Sequence, residues 1–203
     1  MAGISTLFWD MGGVFLTNGW DTHSRALAVQ QFGLDPDEFA ERHHQALEPF
    51  EKGEISLDEY LDRTVFSRPR RFTREAFRDF MFAQSKVLPE CKELVDRLAQ
   101  AGRWEMIALN NESRELNTYR IETFHLRQDF DLFLSSCYVR MRKPDMEIYR
   151  LALDVTQRAP TECVFIDDRS INLEPAAALG IHTIHYQSAT QLSADLRELG
   201  VAP

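Results

Sequence analysis

The chain has 203 residues, 44% of them hydrophobic, and a net charge of −9. That length buries a sizeable core as one domain, or as one domain with a small insert. The acidic balance speaks against nucleic acid or an anionic membrane as the main partner, and no apolar stretch approaches the roughly 20 residues that span a bilayer.

The first element is a short apolar run, "ISTLFW", of strand length and ending at Asp10. Residues 21–84 then read as helical throughout. "LDPDEFAERHHQAL" opens with Asp35 as cap and Pro36 at the first helical position. "ISLDEYLDRTVF" carries a Ser56/Glu59 capping box, and "FTREAFRDFMFA" starts at the cap Thr73. After Lys86 the pattern alternates. A helix runs from Pro89 to Gly102, and "WEMIAL" is a strand. "ESRELNTYRIETF" is a helix and "FDLFLSS" a strand. "KPDMEIYRLALDV" is a helix with Pro144 near its first turn, and "CVFI" is a strand ending at Asp167-Asp168. A helix stopped by Gly180, the strand "IHTIHY" and a closing helix capped at Ser188 complete the chain.

Strands alternating with helices predict a doubly covered parallel sheet, a Rossmann-like α/β core. The first strand must join that sheet. The helical block is therefore expected to be an insertion, a small cap over 17–85, with 1–16 and 86–203 forming the core. Three cysteines without a CxxC spacing suggest reduced thiols. The N-terminal segment lacks the basic start and long apolar run of a secretory signal. Both features point to the cytoplasm.

In an open parallel sheet, ligands bind outside the carboxyl ends of the strands. At those ends stand Asp10, the pair Asn110-Asn111, Lys143 in the segment after the third strand, and Asp167-Asp168. Adjacent carboxylates repel when half-buried. A divalent cation relieves that repulsion, and oxygen ligands favour Mg²⁺. A strand-end carboxylate also serves as a covalent nucleophile. Each residue has a plainer reading: Asp10 as a solvated cap, Asp167-Asp168 as an N-cap pair, Asn110 as turn chemistry.

Four segments, "FWDMGGVF", "MIALNN", "RKPDMEIY" and "CVFIDDRSINLEPAAALGI", occur in an order and spacing that resemble the haloacid dehalogenase (HAD) superfamily. The flavour is that of its sugar-phosphate phosphatases and of the phosphatase domain of soluble epoxide hydrolases. The resemblance spans the whole chain and implies the HAD fold with a helical cap. It also implies a Mg²⁺-dependent phosphatase of a small phosphorylated metabolite. In that scheme Asp10 is the nucleophile, and Lys143 pairs with Asp10 and the phosphate. Asp10, the Gly12 carbonyl and Asp168 hold the metal. Asp167 and Asn172 support the site from behind. Backbone or amide N–H groups at Met11, Gly12, Asn110 and Asn111 cradle phosphate oxygens.

Two positions depart from the superfamily's pattern. Gly12 stands where most of its phosphatases carry an Asp that gives and then takes a proton, and Asn110 stands where Ser or Thr is usual. Losing positioned proton transfer costs about 10²–10⁴ in rate. Two other readings therefore stay open: a haloacid dehalogenase, and a weak or regulatory phosphate-binding protein. The basic stretch Arg68, Arg70, Arg71 and Arg74 is read as a solvated loop, although it could meet an anionic substrate. His43-His44 is read as surface or cap packing, and the phenylalanines of the insertion as its own core.

Overall fold

The structure, a computed structural model, describes residues 3–202. Five parallel strands form one sheet in the order β3-β2-β1-β4-β5. They are β1 (Thr6–Trp9), β2 (Glu105–Asn110), β3 (Leu132–Ser135), β4 (Cys163–Asp167) and β5 (His182–His185). β1 and β4 are buried along their whole length, as strands covered on both faces must be. The alternation of side chains sorts them into two layers. Leu7, Trp9, Val164 and Ile166 point to one face, while Phe8, Cys163 and Phe165 point to the other.

Helices α5 (Pro89–Ala101) and α10 (Ala189–Glu198) cover the first face, and α6 (Arg114–Thr123) adds Ile121 to it. The second face packs against α8 (Met146–Thr156) and α9 (Ser170–Ala178). The fold class agrees with the sequence reading of a parallel sheet covered on both faces. One boundary differs. Pro144 lies outside α8, because Asp145 is extended and serves as the N-cap, so Lys143 sits in the preceding loop rather than at the helix start. A four-residue helix, α7 (Ser136–Val139), also follows β3 directly.

Between β1 and α5 come α1 (Thr22–Phe32), α2 (Pro36–Glu51), α3 (Leu57–Thr64) and α4 (Arg74–Ala83). Their caps are those expected: Asp35 and Thr73 accept from the third helical N–H, and Ser56 and Glu59 form a reciprocal box. These helices bury a cluster of their own, containing Phe39, Phe50, Tyr60, Leu61, Phe77 and Met81. Phe50 stacks on Tyr60 with centroids 4.2 Å apart. The expectation that the phenylalanines pack the insertion holds: Phe77 is fully buried, and Phe66, Phe72, Phe80 and Phe82 pack against the cluster. The two chain crossings into the insertion are tied together, Thr17 N donating to Lys86 O at 2.8 Å and Leu88 N to Phe15 O at 3.0 Å. Among the described residues no helix is long and apolar enough to cross a membrane.

Candidate active site

Strand register sets the site. Trp9 is level with Ala108 on one side and Ile166 on the other, and Asp10 N continues the ladder by donating to Ile166 O at 2.8 Å. Asp10 and Asp167 therefore leave neighbouring strands side by side. The strand order turns at β1, with β2 on one flank and β4 on the other, and such a switch point opens a crevice at the carboxyl ends.

Lys143 reaches into that crevice from its loop and is 2% exposed. Its Nζ lies 2.9 Å from Asp10 Oδ1 and 2.6 Å from Asp167 Oδ2. Asn111 holds the lysine's backbone from both sides: its Nδ2 donates to Lys143 O and its Oδ1 accepts from Lys143 N, each at 2.8 Å. Asp167 is fully enclosed. Besides Lys143 it accepts from Arg169 N at 2.8 Å and, on both oxygens, from Asn172 Nδ2 at 3.0 Å. Asn172 is fixed in turn by Tyr149, whose hydroxyl donates to its carbonyl at 2.6 Å.

Asp168 differs. Its Oδ1 is buried without a hydrogen-bond partner. Carboxylate oxygens of Asp10, Asp167 and Asp168 lie within 4.8 Å of one another. Three acids face one lysine here, and burial dominates the ionisation of Asp10 and Asp168. Burial, against the opposing pull of Lys143, pushes the Asp10 carboxyl up to about 7. Burial and then Asp167 push Asp168 up as well. The Lys143 ammonium is pulled down by burial, but Asp10 and Asp167 together outweigh that and raise it. An orphaned oxygen beside an under-compensated carboxylate fits a hard divalent cation, and Asp10 with Asp168 offers the oxygen donors Mg²⁺ takes. Asp167 has its oxygens filled by protein donors, so it fits support rather than ligation. Gly13 makes the approach possible: at φ +80 its missing Cβ would stand 2.2 Å from Asp168 Oδ2, a conformation and a closeness that only glycine tolerates.

The other expected residues divide. Gly12 and Asn111 line a cavity of about 410 Å³ together with Asp10, Lys143 and Asn172. Met11 is buried, and its N–H donates to Asp10 Oδ1 at 2.8 Å. The Asn110 side chain, expected to reach a phosphate oxygen, is turned inward. Its Oδ1 accepts from Ser135 Oγ at 2.8 Å, and its Nδ2 donates to Asn117 Oδ1 at 3.3 Å. It ties β2 to β3 and α6 instead, because the register sets Asn110 opposite Ser135.

Of the basic stretch, Arg68 pairs with Glu38 and Arg74 with Asp62, while Arg70 Nε donates to Val65 O at 2.6 Å. These arginines are spent within the insertion. The cavity's arginines are Arg25, Arg120 and Arg169, which the sequence reading passed over. Arg169 could have been found from its place beside Asp167-Asp168. Nothing in an ordinary helical stretch marks Arg120, although it is 3% exposed and pairs with Glu112 at 2.8 Å. Asn18 fills the space beside Gly12, where a Cβ would meet its Oδ1 at 3.0 Å.

A strand-end acid, a lysine pinned between two acids and an acid pair closing the fourth strand make one constellation. The model of the haloacid dehalogenase-like hydrolase family matches residues 4–180. The chain belongs to this family. It is therefore a hydrolase, built on the HAD fold that the four segments implied. Flavin mononucleotide hydrolase 1 of Arabidopsis thaliana is 30% identical over 171 residues, covering 84% of this chain and 69% of that protein. Bifunctional epoxide hydrolase 2 of Sus scrofa is 48% identical over 59 residues, which are 29% of this chain but 11% of that protein's length. A HAD-family enzyme of Bacteroides thetaiotaomicron, solved as a magnesium complex, superposes with a TM-score of 0.82 at 22% identity, covering 97% of this chain and all of that one, 100%. That likeness speaks for the fold.

Proposed function

We propose that the protein is a Mg²⁺-dependent phosphatase that hydrolyses a small phosphorylated metabolite through an aspartyl-phosphate on Asp10. The observation that carries this reading is the asymmetry of the acids. Lys143 Nζ reaches an oxygen of both Asp10 and Asp167, while Asp168 keeps Oδ1 without a partner beside them. A metal-free dehalogenase has no use for that orphaned acid. The relative named a flavin mononucleotide hydrolase, and the related fold solved with magnesium, support the same reading.

In this account Asp10, Asp168 and the Gly12 carbonyl hold Mg²⁺, which when bound neutralises charge on the phosphoryl oxygens. The chain's own residues do the rest. Lys143 pulls Asp10 toward its ionised form against the effect of burial and offers its ammonium to a phosphoryl oxygen. Asn111 fixes Lys143 by its backbone, and Asn172 and Asp167 fix it by its head group. An Asp10 oxygen attacks phosphorus, the P–O bond to the leaving group breaks, and that oxygen takes its proton from solvent. Water then attacks the same phosphorus, the P–O bond to Asp10 breaks, and phosphate and a free carboxylate result. The Met11 N–H steadies Asp10 by donating to its Oδ1 at 2.8 Å, and N–H groups at Gly12 and the turn after β2 are left to meet the developing charge. Residues 17–85 act as a cap that closes over the bound ester and excludes water.

A panel of phosphomonoesters and 2-haloacids, each with Mg²⁺ and with a chelator, tests the reading. The expected result is phosphate release in Mg²⁺, lost on chelation, and no Mg²⁺ binding by Asp168→Ala in a calorimetric titration. Metal-independent halide release would make the chain a dehalogenase. A chain inert to every ester would leave only the binding role.

A further inference from the structure

The insertion contributes a buried polar relay to the cavity. Trp20 Nε1 donates to Tyr60 Oη at 2.9 Å, and Tyr60 Oη lies 2.8 Å from His43 Nδ1. Tyr60 is fully buried and His43 is 5% exposed. An indole N–H only donates, so the phenol oxygen accepts from Trp20. The phenol has one proton of its own. Were His43 Nδ1 the carrier of the imidazole hydrogen, both neighbours would donate to Tyr60 Oη and the tyrosine proton would lose its one acceptor within hydrogen-bond distance among the described residues. Buried hydroxyl protons are placed on partners, and the acceptor at hand is Nδ1. Tyr60 therefore donates to Nδ1, and the ring hydrogen belongs on Nε2.

That nitrogen has no hydrogen-bond partner among the described residues, and His43 lines the cavity over Asp10. Arg25 flanks the relay: its guanidinium donates to Trp20 O at 2.6 Å and to Thr22 Oγ1 at 3.0 Å. Burial, then the Arg25 charge, pushes the imidazole down to about 4, so the ring is neutral at physiological pH. A neutral ring with Nδ1 occupied is neither acid nor base there. It is a fixed donor.

We propose that the Trp20–Tyr60–His43 relay locks His43 as an Nε2–H hydrogen-bond donor on the insertion side of the cavity, where it selects phosphomonoesters whose leaving group carries an acceptor oxygen. The selected group is a hydroxyl or carbonyl on the part of the ester away from phosphorus. The proposal rests on the phosphatase reading for its substrate and on the relay alone for its donor.

Two measurements separate these. Long-range proton–nitrogen NMR of the protein alone reports the tautomer. Nε2–H is expected in wild type, with Nδ1–H appearing in Tyr60→Phe, which keeps the ring and its stack on Phe50. An Nδ1–H tautomer or an imidazolium at pH 7 in wild type overturns the proposal. The second measurement is the ratio of kcat/KM for ribose 5-phosphate to that for phenyl phosphate. That ratio is expected to fall by about tenfold or more in His43→Phe, since a site built to donate rejects partners that leave it unpaired. His43→Gln, which restores an N–H, is expected to recover most of it. An unchanged ratio in a folded His43→Phe overturns the selective role. If wild type hydrolyses no ester of the panel, the phosphatase reading fails, and the tautomer decides the donor by itself.

Discussion

Asp10→Asn is expected to lower kcat/KM for any phosphoester the protein hydrolyses by at least about 10⁴, the scale on which loss of a covalent nucleophile is felt. The amide keeps the size of the side chain and still accepts a hydrogen bond from Lys143, but it does not attack phosphorus. The same substitution removes a charge that burial disfavours, since burial is the largest influence on Asp10 and drives its carboxyl up. Dead enzyme and an unchanged or higher melting temperature in chelator are therefore expected together, as when a strained site is relieved at the expense of activity. Steady-state kinetics and a thermal melt check both halves. An Asn variant within tenfold of wild type would take the nucleophile's role from Asp10.

Lys143→Met is expected to be the most destabilising single change at the site. The lysine's head group is fully enclosed and meets Asp10 and Asp167 at 2.9 and 2.6 Å. Removing it leaves two carboxylates buried without their counter-charge, and breaking a buried pair costs about 3–5 kcal/mol. Urea unfolding should show that loss. Adding Asp167→Asn should recover part of it, because the pair is coupled. Turnover should be lost in both variants, since neither has an ammonium for the phosphoryl oxygens. A Lys143→Met protein as stable as wild type would mean that the lysine's contacts with the two acids do not hold the site together.

Much of this was legible before the structure. Short apolar runs such as "LFW" and "CVFI" alternate with helical stretches, and that alternation implied a parallel sheet covered on both faces. The strand ends then followed from topology, and with them Asp10, Lys143 and Asp167-Asp168. What the sequence could not show was direction. Asn110 and Asn111 are adjacent and chemically identical, yet one faces Ser135 in the sheet and the other clamps Lys143. That choice depends on register and on where the Lys143 loop passes, both of them long-range. The cavity's arginines were missed for the same reason. Arg68, Arg70 and Arg74 form an obvious cluster but find partners within the insertion. Arg120 stands alone in the sequence and is brought against Thr17, Ser85 and Glu112 by folding. The His43 pair read as packing, and His43 does pack. Only Tyr60, 17 residues away, reveals which nitrogen is committed.

Gly12 and its neighbours bear most directly on the central claim, that Asp10 carries the phosphoryl group. Asn18 occupies the space beside Gly12. Of the cavity's other carboxylates, Glu51 and Glu112 are each paired with an arginine at 2.8 Å, and Asp21 caps α1 by accepting from Ser24 N at 2.8 Å. Loading of Asp10 is helped by a good leaving group, whereas unloading needs water made nucleophilic with no side chain at residue 12 to assist. The phosphorylated state is therefore expected to accumulate. Wild-type protein mixed with acetyl phosphate and Mg²⁺, quenched in acid and digested, should show one added phosphoryl group on the peptide that contains Asp10, absent from Asp10→Asn. A phosphoryl group on any other peptide, or none while phosphate is being released, would contradict the account.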